Sequence, residues 1–61
     1  MKTPTPTAIK KARKAANLSQ AEAAALVGYT RYAWCRWESG DRPMRAAVFQ
    51  MFRDKVSNGF T

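Results

Sequence analysis

Apolar residues in this chain recur at intervals of three and four, with no clear run of the strict alternation that marks a strand, so the pattern predicts helices throughout. Four stretches carry the period, over about 7–16, 20–27, 31–39 and 44–56, and turn residues separate them. In the first, Ile9, Ala12 and Ala16 form one stripe and Lys10, Lys11 and Lys14 the opposite one, while Arg13 sits at the margin beside the apolar residues. Thr7 is placed to cap this helix. Asn17, which tolerates left-handed backbone, is placed to end it. Residues 1–6, with two prolines and two threonines, suit a flexible extended arm.

Ser19 followed by Glu22 has capping-box spacing, so a second helix starts there. Ala23, Ala24 and Val27 share a face on which another helix can approach closely, Gly28 supplies a turn that needs positive φ, and Thr30 caps the third helix. That helix has two faces. At about 100° per residue from Arg31, Ala33, Trp34 and Trp37 fall between roughly 200° and 300°, whereas Arg31, Cys35, Tyr32 and Arg36 fall between roughly 0° and 140°. Gly40 closes the helix, and Asp41-Arg42-Pro43 bends the chain into the fourth. There Met44, Val48, Phe49, Met51, Phe52 and Val56 sweep roughly 160°, wider than the stripe of about 100° that one-sided packing uses. Half of that arc lacks a partner in a monomer, which makes Phe49, Met51 and Val56, with Phe60 of the 57–61 tail, candidates for a dimer interface. The expected core is Ile9, Ala12, Ala16, Leu18, Ala23, Ala24, Val27, Trp34, Trp37, Val48 and Phe52.

Sixty-one residues allow one domain, expected over 7–56, with a single core that must be economical or shared with a second subunit. Eleven Lys and Arg against four Asp and Glu give a net charge of +7, which favours a polyanion: nucleic acid first, an anionic membrane surface second. With no histidine and the single cysteine Cys35, neither an internal disulfide nor a zinc-type metal site is expected, and a reducing cytoplasm fits. No secretory signal opens the chain, and no stretch approaches the roughly 20 apolar residues that span a bilayer. The same inventory argues against an enzyme, since Cys35 has no imidazole partner and the acids stand on separate elements or in capping and pairing roles. No cofactor or small-molecule ligand is expected.

Leu18 to Gly40, LSQAEAAALVGYTRYAWCRWESG, with Arg42-Pro43 beyond it, resembles the Cro and phage-repressor branch of the helix-turn-helix family, the xenobiotic-response-element type. The matching residues are Gln20 at the opening of helix two, Ala24 at the helix crossing, Gly28 in the turn and Arg36-Trp37-Glu38-x-Gly40 at the end of helix three. The resemblance implies an all-α, lambda-repressor-like fold of four or five helices, whose third helix enters the major groove while the second crosses the phosphate backbone. It implies base contacts from Arg31, Tyr32 and Arg36, with Thr30 and Cys35 as neighbours, and phosphate contacts from Gln20, Ser19, Arg42 and Arg45. It also pairs Arg13 with Glu38, in keeping with the odd place of Arg13 on its wheel. Tyr29 and Trp34 depart from the family, which usually has Val, Ile or Leu there.

Trp34 and Trp37 lie opposite the arginines and read as core rather than as a base-stacking platform. Lys10, Lys11 and Lys14 read as a solvated face, and Cys35 as passive packing near the groove rather than a redox sensor. The expected function is a Cro-like transcriptional repressor of phage or prophage type, a homodimer that binds a near-palindromic double-stranded DNA operator in the cytoplasm of a prokaryotic or phage-infected cell. The competing class is a protein-interaction module or antitoxin-type regulator that binds a protein through the apolar face of helix 44–56.

Overall fold

A computed structural model describes residues 3–58, which form four helices: α1 Pro6–Ala15, α2 Gln20–Leu26, α3 Arg31–Ser39 and α4 Ala46–Ser57. No strand occurs among the described residues, and Phe60 lies outside them. The fold is all-α, as the periodicity predicts.

The ends of the helices follow from side-chain chemistry. Thr5, not Thr7, caps α1: its Oγ1 accepts from Ala8 N at 3.1 Å, and Pro6 takes the first helical position, where a missing N–H costs nothing. The expected arm therefore loses Pro6 to the helix. Asn17 follows the C-cap with φ 60°, the left-handed conformation that its short polar side chain tolerates. Both halves of the capping box form on α2, with Ser19 Oγ accepting from Glu22 N at 3.1 Å and Ser19 N donating to Glu22 Oε1 at 2.9 Å. Gly28, at φ +76°, turns the chain towards α3, whose N-cap Thr30 accepts from Ala33 N at 3.2 Å.

Trp34 occupies the middle of the core with no exposed surface. Its ring lies 5.5 Å from that of Trp37 and 5.0 Å from that of Phe52, and Ile9, Leu18, Ala23, Ala24, Val27, Met44 and Val48 are buried with them. Bulk on α3 fills what the alanines of α1 and α2 leave open, which gives the departure at Trp34 a packing reason. Ala12 and Ala16 are half-buried at the margin of this core.

Two expectations about the fourth helix are corrected. It begins at Ala46, behind an extended Arg45 that makes no side-chain cap, so Met44 reaches the core from the preceding segment although its spacing had placed it on the helix. A residue in register with a helix can be buried without belonging to it. Val48 and Phe52 of the arc lie in the core, and of the half expected to lack a partner Phe49 and Val56 pack half-buried at the core's edge, beside α1. Of the described dimer candidates only Met51 is exposed, at 38%.

One carboxylate joins three helices. Glu38 Oε2 accepts from Arg13 Nε of α1 and from Trp34 Nε1 of α3, both at 2.6 Å, while its Oε1 accepts from Gln20 Nε2 of α2 at 3.1 Å and from Arg13 Nη2 at 3.3 Å. Arg13 Nη1 also donates to the Leu18 carbonyl at 2.8 Å, which ties the α1–α2 connection to the same point. The side chains of Arg13 and Glu38 are 12% and 6% exposed, so each depends on the other for solvation.

Burial pushes the Glu38 carboxyl pKa up, but the hydrogen bonds from Arg13, Trp34 and Gln20, with the Arg13 charge, outweigh it and hold the group below the ordinary carboxylate range. A carboxyl depressed in the folded state adds stability above its unfolded pKa of about 4.3, and that contribution is lost as pH falls from there through the folded value. Glu38→Gln is therefore expected to lose about 3 kcal/mol in denaturant unfolding at pH 7, and the gap to the parent protein narrows as the pH drops below about 4. A double-mutant cycle on Arg13 and Glu38 is expected to show coupling above about 1 kcal/mol; independent effects would refute the linkage.

Candidate nucleic-acid interface

The outward side of α3 is set by what its inward side holds. Trp34 and Trp37 are buried, the indole N–H of Trp34 is committed to Glu38, and the Tyr29 ring packs edge-on against Trp37 at 4.9 Å. Rotation of the helix about its axis would expose the tryptophans and break the Tyr29 contact and the bonds that Arg13 and Gln20 make to Glu38, while the Trp34–Glu38 bond, internal to α3, holds those two side chains against each other. Arg31, Tyr32, Cys35 and Ser39 consequently face solvent, with Tyr32 66% exposed and Arg36 half-buried at their edge. Thr30 stands exposed at the start of this surface.

The two arginines of α3 are in different states. Arg31 is exposed and makes no ion pair among the described residues, so its planar fork of donors is free. Arg36 is engaged: its Nη1 donates to the Tyr32 hydroxyl, its guanidinium carbon lies 5.1 Å from the Tyr32 ring centroid, and its Nη2 lies 3.8 Å from Asp41 Oδ2. Its Nε is buried and finds no acceptor among the described residues. Tyr32 and Arg36, one helical turn apart, therefore present a single unit. Asp41 was not singled out from the sequence, although an acid just past a helix end, five residues after an arginine, was the available signal.

The residues expected at phosphate are dispersed. Ser19 is exposed, and its oxygen accepts within the capping box, which leaves the hydroxyl hydrogen to donate elsewhere; the Thr30 hydroxyl is placed alike. Gln20 is half-buried, and its amide nitrogen already donates to Glu38, so its first role is inside the fold. Sequence reading missed both this bond and that of Trp34, which stands one turn before Glu38 on the same face. Arg42 and Arg45 are exposed and line a hollow of about 390 Å³ with Tyr29, Trp37, Pro43 and Val48. Arg42 N donates to the Arg36 carbonyl at 3.3 Å, which folds this segment back onto the end of α3. Lys10, Lys11 and Lys14 form a separate exposed group on α1.

Free Cys35 is exposed amid the arginine surface. No group of three or more His, Cys, Asp or Glu able to hold a metal ion occurs among the described residues, and no helix among them is long and apolar enough to cross a membrane.

The fold and surface agree with the comparison to known families. The sequence model described as "Helix-turn-helix domain" matches residues 7–52, three quarters of the chain, from the first turn of α1 into α4. No curated protein matches the sequence. With α2 and α3 packed about the Gly28 turn and α3 displaying a basic outer face on a tryptophan floor, the chain belongs to the helix-turn-helix domain family of DNA-binding proteins.

Proposed function

We propose that this protein is a sequence-specific regulator of transcription, a Cro-like repressor that inserts α3 into the major groove of double-stranded DNA. The carrying observation is the locked orientation of α3, which turns Arg31, Tyr32, Cys35 and Arg36 outward while both tryptophans are buried. A helix of this width fits the major groove, where an arginine fork can meet guanine O6 and N7. Arg31 supplies that fork directly. The Tyr32–Arg36 unit reads as one element, the tyrosine edge suited to a thymine methyl or a phosphate and the arginine to a base acceptor. Cys35, small and central, allows close approach.

Ser19, Arg42 and Arg45 supply phosphate contacts, the serine through its unused hydroxyl hydrogen, Gln20 adds the second hydrogen of the nitrogen that holds Glu38, and Thr30 stands with the base-reading residues at the start of α3. Two copies on the half-sites of a near-palindromic operator, about 34 Å apart, is the arrangement supported by the resemblance to phage repressors. The net charge of +7 supports rapid, salt-sensitive association with DNA.

If about six phosphates are neutralised, log K falls with log salt at a slope near −5, measured by fluorescence anisotropy on a duplex site selected from a random pool; a salt-insensitive complex contradicts the mechanism. Arg31→Ala is expected to relax base preference at a defined position by about 1 to 3 kcal/mol, whereas Gln20→Ala weakens all sequences evenly and lowers the unfolding midpoint as well. Asp41→Asn releases Arg36 from its only carboxylate neighbour among the described residues and is expected to raise affinity about two- to fivefold at low salt. Unchanged or weaker binding would show that Arg36 does not touch DNA.

A further inference from the structure

Away from α3, the chain has a second feature with the character of a binding surface. Between α1 and α4 runs a groove of about 450 Å³, with Ala8, Ala12 and Ala15 on one wall and Phe49, Phe52 and Val56 on the other. The alanines are too short to fill the space that faces the part-exposed Phe49 and Val56, beneath which Phe52 is buried. Lys11 and Arg53 also line it, and the Arg53 guanidinium carbon lies 5.9 Å from the Phe49 ring centroid, above the apolar floor. Neither cation has a carboxylate within 4.0 Å among the described residues, and Lys10 and Lys14 extend the same charge along an adjoining shelf of α1. The groove is thus apolar within and cationic at its border.

That combination selects among occupants. A second copy related by a twofold axis would set the same patch against itself and bring the cationic border of one copy, Lys11 and Arg53, against that of the other. An amphipathic helix with apolar anchors one turn apart and carboxylates along its flanks meets both requirements, since the anchors remove the floor from water and the acids pair with the border. We propose that the α1–α4 groove docks such an acidic amphipathic segment of a partner protein. Its walls include no residue of α3, so the partner and a nucleic acid can be held at once, and the proposal stands whether or not α3 binds DNA.

The test pans a displayed library of helical peptides against the full chain and measures the most enriched peptide by fluorescence anisotropy. Enriched sequences are expected to carry apolar residues at i and i+4 flanked by Asp or Glu. Ala15→Leu, which fills the groove from an exposed position, and Arg53→Glu, which reverses its border, are each expected to weaken binding about tenfold. Helical circular dichroism and the unfolding midpoint of both variants stay near those of the parent protein, because both side chains lie outside the core. No enrichment, enrichment of basic or uncharged flanks, or variants that bind like the parent would overturn the proposal. Sedimentation that shows a dimer dispersed by Ala15→Leu would overturn it too, by identifying the occupant as a second copy.

Discussion

The carboxylate of Glu38 is the point on which this small fold turns. A chain of this length has little apolar surface to bury, and its first two helices spend many positions on alanine. What aligns α1, α2 and α3 is directional rather than bulky: donors from Arg13, Gln20 and Trp34 converge on two oxygen atoms that burial would otherwise disfavour. The net worth of such a cluster against an apolar replacement is modest, but an incomplete one is strongly unfavourable, so its effect is to penalise every arrangement in which one helix is out of place. The exposed face of α3 inherits that discrimination, because Glu38 and Trp34 both belong to that helix.

Much of this was readable from residue order, for reasons that are local. Capping boxes, a left-handed Asn and a turn glycine act within a few residues of themselves, so Ser19, Glu22, Asn17 and Gly28 are found where their chemistry places them. The segregation of α3 is equally local, a matter of angle about one axis. What escaped required knowledge of three dimensions. Gln20 was assigned outward because the resemblance puts it near phosphate, whereas its amide also reaches Glu38, eighteen residues away. Met44 has helical spacing without being helical, and half of the fourth helix's arc reads as unpartnered because nothing in a single helix reveals which neighbour lies beside it. Thr5 and Thr7 are equivalent as caps until Pro6 chooses between them.

The basic residues divide by what surrounds them, and that division matters more than their number. Arg13 is internal and neutralised, Arg36 is steered by an aromatic ring and a nearby acid, and Arg31 is unconstrained. The lysines of α1 sit on another side and border an apolar groove. A single net charge therefore conceals several distinct jobs: structural pairing, oriented recognition, diffuse attraction and the framing of a second surface.

The shared carboxylate also bears on how such a domain can be rearranged. The helix-turn-helix pair looks like a self-contained cassette, yet its closing glutamate is solvated by an arginine that precedes the pair in the chain. Recombination or grafting that moves residues 18–40 without α1 would carry a buried anion away from its counter-charge. Arg31, Tyr32 and Cys35 can change without disturbing the cluster, which does not involve them. The boundary of heredity for this module thus lies before Arg13, wider than the helix-turn-helix pair itself.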